Sequence, residues 1–157
     1  MRIVMLQTGK TSEGYINEGI DLYSARINRS TAFEIITLPD VKNARNMPEQ
    51  ELKEKEGKKI LESLKEGDYT VLLDEKGKEF RTVEFASWLA NRFIQPGKRL
   101  VFIVGGAWGF PDELYQKADM KLSLSKMTFP HQLVRLIFIE QLYRALSIIK
   151  GSPYHHE

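Results

Sequence analysis

The sequence predicts an α/β protein on a mainly parallel sheet of five to six strands, and two observations carry this. Short β-branched runs alternate with stretches of helical apolar spacing from one end of the chain to the other. Residues 100–104 (LVFIV) are continuously apolar, as expected of a strand covered on both faces.

Each element has a local reason. Residues 2–7 (RIVMLQ) form a first strand. Ser12 is placed to cap a helix reaching about Asn28, with Ile16, Ile20, Tyr23 and Ile27 near helical spacing. Residues 33–38 (FEIITL) make a β-branched strand stopped by Pro39, and the polar stretch 40–47 is a loop. Pro48 suits the first turn of a second helix, with Glu49 and Glu51 near its positive end, continuing through Ile60, Leu61 and Leu64 to Gly67. Residues 69–74 (YTVLLD) are a central strand followed by a turn at 75–78. Thr82 is placed to cap a short helix through Val83, Phe85, Ala86 and Leu89, and residues 95–98 (QPGK) turn into the LVFIV strand. A helix starts near Pro111 and Asp112, and residues 120–125 form a fifth strand. Pro130 opens the last and longest helix, which ends at Lys150 and Gly151. No repeat or linker divides residues 1–157, so one domain is expected.

Composition excludes more than it proposes. With no cysteine, disulfides, thiolate-bound zinc, iron–sulfur clusters and a cysteine nucleophile are all excluded. The longest apolar run, residues 100–110, is far short of the roughly 20 residues a membrane span needs. No membrane association is expected, and a cytoplasmic location is. Three histidines without HxxxH or HExxH spacing predict no metal site. A net charge of +2, from 23 Lys and Arg against 21 Asp and Glu, permits an RNA partner without arguing for one.

Four features could carry chemistry. Residues 104–110 (VGGAWGF) follow the buried strand, where glycines let the backbone turn sharply and approach a ligand; equally, they make a tight turn with none. Residues 123–130 (SLSKMTFP) join the last strand to the last helix and could wrap an adenine, or be an ordinary loop. The last helix is apolar on almost every face, more than one sheet surface could cover, so a second copy of the same helix is its expected partner. Glu140 and Arg144 there stand at i, i+4 and can pair, or Arg144 can reach a phosphate or base. The end of the chain carries Tyr154, His155 and His156, which are either frayed or able to stack and exchange protons with a base. His131 is a first-turn residue with the same two readings.

In combination these segments resemble the RlmH family. The strand–Gly-Gly–x–x–Gly turn at 105–109, Leu-Ser-x-x-Thr-x-Pro-His at 124–131, Leu-Val-Arg, Glu-x-Leu-Tyr-Arg-Ala and a terminal Pro-Tyr-His-x-Glu occur in order. The resemblance runs nearly end to end. It implies a SPOUT, or α/β-knot, fold whose C-terminal part, about residues 70–157, threads a deep trefoil knot. By similarity, Leu73, Gly105, Gly106, Ser125, Lys126, Met127, Thr128, Phe129 and Pro130 would hold S-adenosylmethionine. It further implies a homodimer through the C-terminal helix and N3-methylation of a pseudouridine in 23S rRNA of the assembled ribosome.

Direct displacement at the methyl group needs no covalent enzyme intermediate, in keeping with the absence of cysteine. The attacking ring nitrogen begins as an imide N–H and must lose its proton. His155 is the expected acceptor, because an imidazole takes up protons near neutral pH. Tyr154 is expected to stack on or orient the base, and Arg144 to stabilise the oxygen gaining charge or to grip a phosphate. Lys10, Arg26, Arg29, Lys42 and Arg45 are candidate RNA contacts or plain solvated charge. The rivals are a SPOUT enzyme acting on another RNA nucleotide, a nucleotide-cofactor enzyme acting on a small molecule, and a non-catalytic ribosome-binding module.

Overall fold

A computed structural model describes residues 1–156. The chain runs β1 (Arg2–Thr8), α1 (Gly14–Asn28), β2 (Phe33–Leu38), a 3-10 turn (Ala44–Asn46), α2 (Glu49–Ser63), β3 (Asp68–Glu79), α3 (Thr82–Phe93), β4 (Arg99–Val104), α4 (Asp112–Lys117), β5 (Met120–Ser123) and α5 (Leu133–Ile149). The five strands form one sheet in the order β2-β1-β4-β3-β5, and every strand pair is parallel.

Strand alternation sends side chains to two cores. Ile3 and Met5 of β1, with Leu100 and Phe102 of β4, pack beneath α1, α3 and α5. Val4, Leu6, Val101 and Ile103 face α2 and α4 on the other side. Both faces are covered, which is why β4 is apolar from Leu100 to Val104 and buried at all six positions.

Several local expectations shift. Ser12 does not cap α1, whose N-cap is Glu13; its backbone N–H instead donates to Gln132 Oε1 at 2.9 Å. Arg81, not Thr82, precedes α3 as its cap, with Glu84 accepting the Arg81 backbone N–H at 3.1 Å. α2 ends at Ser63, four residues before Gly67. The turn expected at 75–78 is absent: β3 stays extended to Glu79, and a break in its register with β5 between Leu73 and Lys78 absorbs the extra residues. β5 stops at Ser123, and α5 begins three residues after Pro130, at Leu133.

The apolar surface of α5 finds more cover within the chain than its sequence suggested. The helix lies on the sheet between α1 and α3, burying Phe138, Ile139, Leu142, Ala145 and Leu146. Arg135, expected to interrupt this surface, is itself 1% exposed. Leu136 and Ile137 stay half-buried, and Tyr15 and Leu22 of α1 are exposed. Close crossing with α1 depends on Gly19, where a Cβ would stand 2.7 Å from a Leu136 methyl.

Candidate active site

The second half of β3 lies beside the C-terminal ends of β4 and β5, and residues 73–76 of β3 with the loops leaving β4 and β5 enclose a cavity of about 620 Å³. That size is within the range of small-molecule sites, and in parallel sheets such sites lie beyond the C-terminal strand ends. Leu73, Gly105, Gly106, Ser125, Met127, Thr128, Phe129 and Pro130 line it, whereas the expected Lys126 does not. Leu122, Leu124 and Val134 supply an apolar floor. The loop after β4 folds back on itself: Gly106 and Gly109 form an antiparallel bridge, and Gly109 adopts the left-handed φ of 78° that lets the turn close. Trp108 sits at the tip of that turn on the cavity rim, 54% exposed, with 75%-exposed Met127 also on the lining.

Polar groups on the lining bind the loops to one another. Tyr115 of α4 donates its hydroxyl to the Asp74 carboxylate. Burial first, and that hydrogen bond second, push the phenol well above its ordinary range. The Thr128 hydroxyl donates to Glu75 at 3.2 Å, joining the loop after β5 to β3. Behind Gly106 stands Glu56, whose carboxyl is raised from its usual range by burial and by the neighbouring Asp40 charge. None of Asp74, Glu75, Glu56 or Tyr115 was singled out from sequence, although Asp74 and Glu75 at the expected C-terminal end of the YTVLLD strand were a usable signal.

Arg144, Tyr154 and His155 come together in a second cluster. Arg144 donates from Nε and Nη2 to Glu140 Oε1 at 2.9 and 2.6 Å, so the helix ion pair forms. The same guanidinium lies 4.7 Å from the centre of the Tyr154 ring, and its Nη1 is 3.4 Å from His155 Nδ1. Tyr154 donates to Glu140 Oε1 at 3.1 Å and stands 3.3 Å from the Tyr23 hydroxyl. Burial, then these partners, raise its pKa too, so the phenol stays neutral at physiological pH. The tail is therefore docked on α5 and α1 and not frayed; Glu157, the last member of the tail motif, lies outside the described residues.

The two clusters do not meet within one chain. Val134 is the last cavity residue on α5, and Glu140 and Arg144 follow six and ten residues later. At 1.5 Å per residue they stand about 9 and 15 Å further along the helix axis.

A wholly parallel sheet with a ligand-sized cavity beyond its strand ends, and no GxGxxG turn, defines an α/β enzyme with a small-molecule site of its own kind. The sequence profile described as "Predicted SPOUT methyltransferase" matches residues 1–155. The chain belongs to the SPOUT methyltransferase family. Proteins named Ribosomal RNA large subunit methyltransferase H from Parabacteroides distasonis, Phocaeicola vulgatus and Bacteroides fragilis are 51%, 48% and 45% identical to it, each over the whole of both chains. A structure from Legionella pneumophila, described as a "putative methyltransferase" with the cofactor S-adenosylmethionine bound, superposes with a TM-score of 0.50 at 14% identity, covering 93% of this chain and 66% of that one. That likeness concerns the fold. No helix among the described residues is long and apolar enough to cross a membrane, and no group of potential metal ligands occurs among them.

Proposed function

We propose that this protein methylates N3 of a pseudouridine in large-subunit ribosomal RNA of the assembled ribosome, working in the cytoplasm as a homodimer of single-domain chains. The observation that carries the reading is the cavity bounded by residues 73–76 of β3 and the loops after β4 and β5, on a chain matched from end to end by proteins named for large-subunit ribosomal RNA methylation. Those loops belong to the part of the chain, about residues 70–157, that the resemblance to the RlmH family implies is threaded into a trefoil knot.

The residues present suit S-adenosylmethionine. Gly105 and Gly106 leave backbone open to the cavity, the loop 125–130 offers peptide N–H and C=O groups to an adenine edge, and Leu73, Leu122 and Leu124 offer apolar contact to its ring. The cofactor supplies an electrophilic methyl group on its sulfonium. The protein's tasks are to aim the ring nitrogen at that methyl, exclude water and accept the imide proton.

Within the tail cluster the assignment of roles follows from protonation. Tyr154 is held as a neutral phenol and Arg144 as a cation, so neither serves as base. His155 accepts the proton, Tyr154 orients the target base, and Arg144 stabilises the oxygen that gains charge. Because the tail and the cavity stand apart on one chain, the active site pairs the cavity of one protomer with the tail of its partner. The apolar surface left on α1 and α5 supports a dimer along these helices.

The test is transfer of labelled methyl from S-adenosylmethionine to ribosomes lacking the modification, with the product nucleotide mapped. Label at N3 of a pseudouridine in large-subunit RNA is expected, with none on free RNA. Label on another nucleotide would replace the substrate, and cofactor binding without any label would leave only the fold assignment.

A further inference from the structure

A cleft that plays no part in cofactor binding lies where α1 and α5 end side by side. It encloses about 200 Å³ and is lined by Arg26, Arg29, Ser30, Ser147, Lys150 and Ser152 together with Tyr143 and Leu146. Three cations and no carboxylate face it among the described residues. In a chain whose net charge is only +2, that is a local concentration of positive charge. Arg29 and Lys150 are exposed and have no ion-pair partner among the described residues. Arg26 is half-buried, its guanidinium 5.4 and 5.7 Å from the ring centres of Tyr23 and Tyr143.

The cleft adjoins the tail cluster directly. Tyr23 and Tyr143, on which Arg26 rests, are the rings that hold Tyr154: its hydroxyl is 3.3 Å from that of Tyr23, and its ring meets Tyr143 edge-on at 4.7 Å. Lys150 and Ser152 immediately precede the tail, and the Ser152 N–H donates to the Ser147 carbonyl at 2.9 Å, which fixes the chain's exit from the helix. An anion seated between Arg29 and Lys150 therefore lies next to the groups that handle the target base.

We infer that this cleft is a phosphate-binding subsite for the ribosomal RNA backbone, gripping a nucleotide near the target while Tyr154 and His155 engage the base. The inference rests on the proposed RNA substrate and adds the place where its backbone is held. The competing account is structural: cations near helix C-termini offset the negative end of the macrodipole, a modest effect confined to the last turn. The two accounts differ in what they predict for RNA.

The experiment compares wild-type protein with the Arg29→Gln/Lys150→Gln double variant, leaving Arg26 intact because it packs on two rings. Measured are KM and kcat for methyl transfer to ribosomes at several salt concentrations, cofactor affinity and thermal midpoint. A phosphate subsite predicts that KM rises roughly tenfold and that the slope of log affinity against log salt falls by about one per lost contact. Cofactor affinity stays the same, and an Arg29→Lys/Lys150→Arg variant restores KM. An unchanged KM and salt slope, or a lowered thermal midpoint with weakened cofactor binding, overturns the subsite in favour of the structural account. If the wild-type protein labels no ribosomes, the substrate assignment itself falls and the subsite with it.

Discussion

Arg135 Nη2 donates to the Thr8 carbonyl at 2.8 Å, tying the start of α5 to the end of β1 inside the protein. Nη1 of the same guanidinium donates to the Gly9 carbonyl at 3.0 Å and the Thr11 hydroxyl at 2.8 Å, and Gln132 one turn earlier holds Ser12 and Glu13. Residues 130, 131 and 134 line the cofactor cavity while 132 and 135 face the other way, so one turn of chain is shared by the cavity and the β1–α1 loop.

Replacing Arg135 with Met removes that tie and leaves two buried carbonyls without donors. A loss of about 3 kcal/mol is expected, from the cost of unpaired buried groups. Lys keeps a charge but cannot reach three acceptors at once, and should recover only part of the loss. Denaturant unfolding of the three proteins measures this; equal stability of wild type and Met variant would show that the loop holds without the guanidinium.

Gly77 sits in the break between the two registers of β3 and β5, where an added Cβ would stand 2.6 Å from the Lys121 carbonyl carbon and 2.7 Å from Leu122 N. These are backbone atoms, so β5 must move. Gly77→Ala is expected to destabilise by about 2 kcal/mol, in the usual range for overpacking. Because Leu122 and Leu124 line the cavity, cofactor affinity should fall as well. Calorimetric titration at a temperature where both proteins are folded separates the two effects.

Alkaline pH should weaken the fold through Tyr115 and Tyr154. Each is raised above the ordinary tyrosine range near 10, first by burial and then by hydrogen bonds to Asp74 for Tyr115, and to Tyr23 and Glu140 for Tyr154. A raised folded-state pKa contributes stability that is fully present below the unfolded value and lost as pH rises through the folded one. Stability should therefore decline from about pH 10 upward. Tyr115→Phe and Tyr154→Phe should each flatten that decline, and ultraviolet titration of the native protein should show two tyrosines ionising late.

A site shared between subunits predicts complementation. His155→Ala should slow methyl transfer by roughly a hundredfold, within the usual range for loss of a general base, with cofactor affinity unchanged. Gly106→Val, whose Cβ would stand 2.9 Å from the Glu56 carboxylate behind the cavity wall and so displace the loop after β4, should abolish cofactor binding. Equal mixing of the two inactive proteins makes half the dimers mixed, each with one intact site, so about a quarter of wild-type activity should return. No recovery after subunit exchange would place the tail and cavity of a single chain in the same site.

Local chemistry made much of this protein legible before folding. The alternation of apolar periods, the apolar run 100–104 of β4 and the glycine turn after it are written in neighbouring residues, and they determined element order, sheet type and the loops that line the cavity. The tail motif was likewise visible as a Tyr-His pair worth attention. Tertiary structure alone decided the rest. Whether residues 75–79 turned or stayed extended depended on a β5 that arrives over forty residues later. Arg135 is marked by its sequence as an interruption and becomes the core's best-buried cation, because its acceptors lie more than 120 residues away. The α5 surface that demanded a second partner was partly covered by α1 and α3. Separation of the tail from the cavity is also a tertiary fact: helix periodicity fixes which residues share a face, while only packing fixes how far apart two loops come to rest.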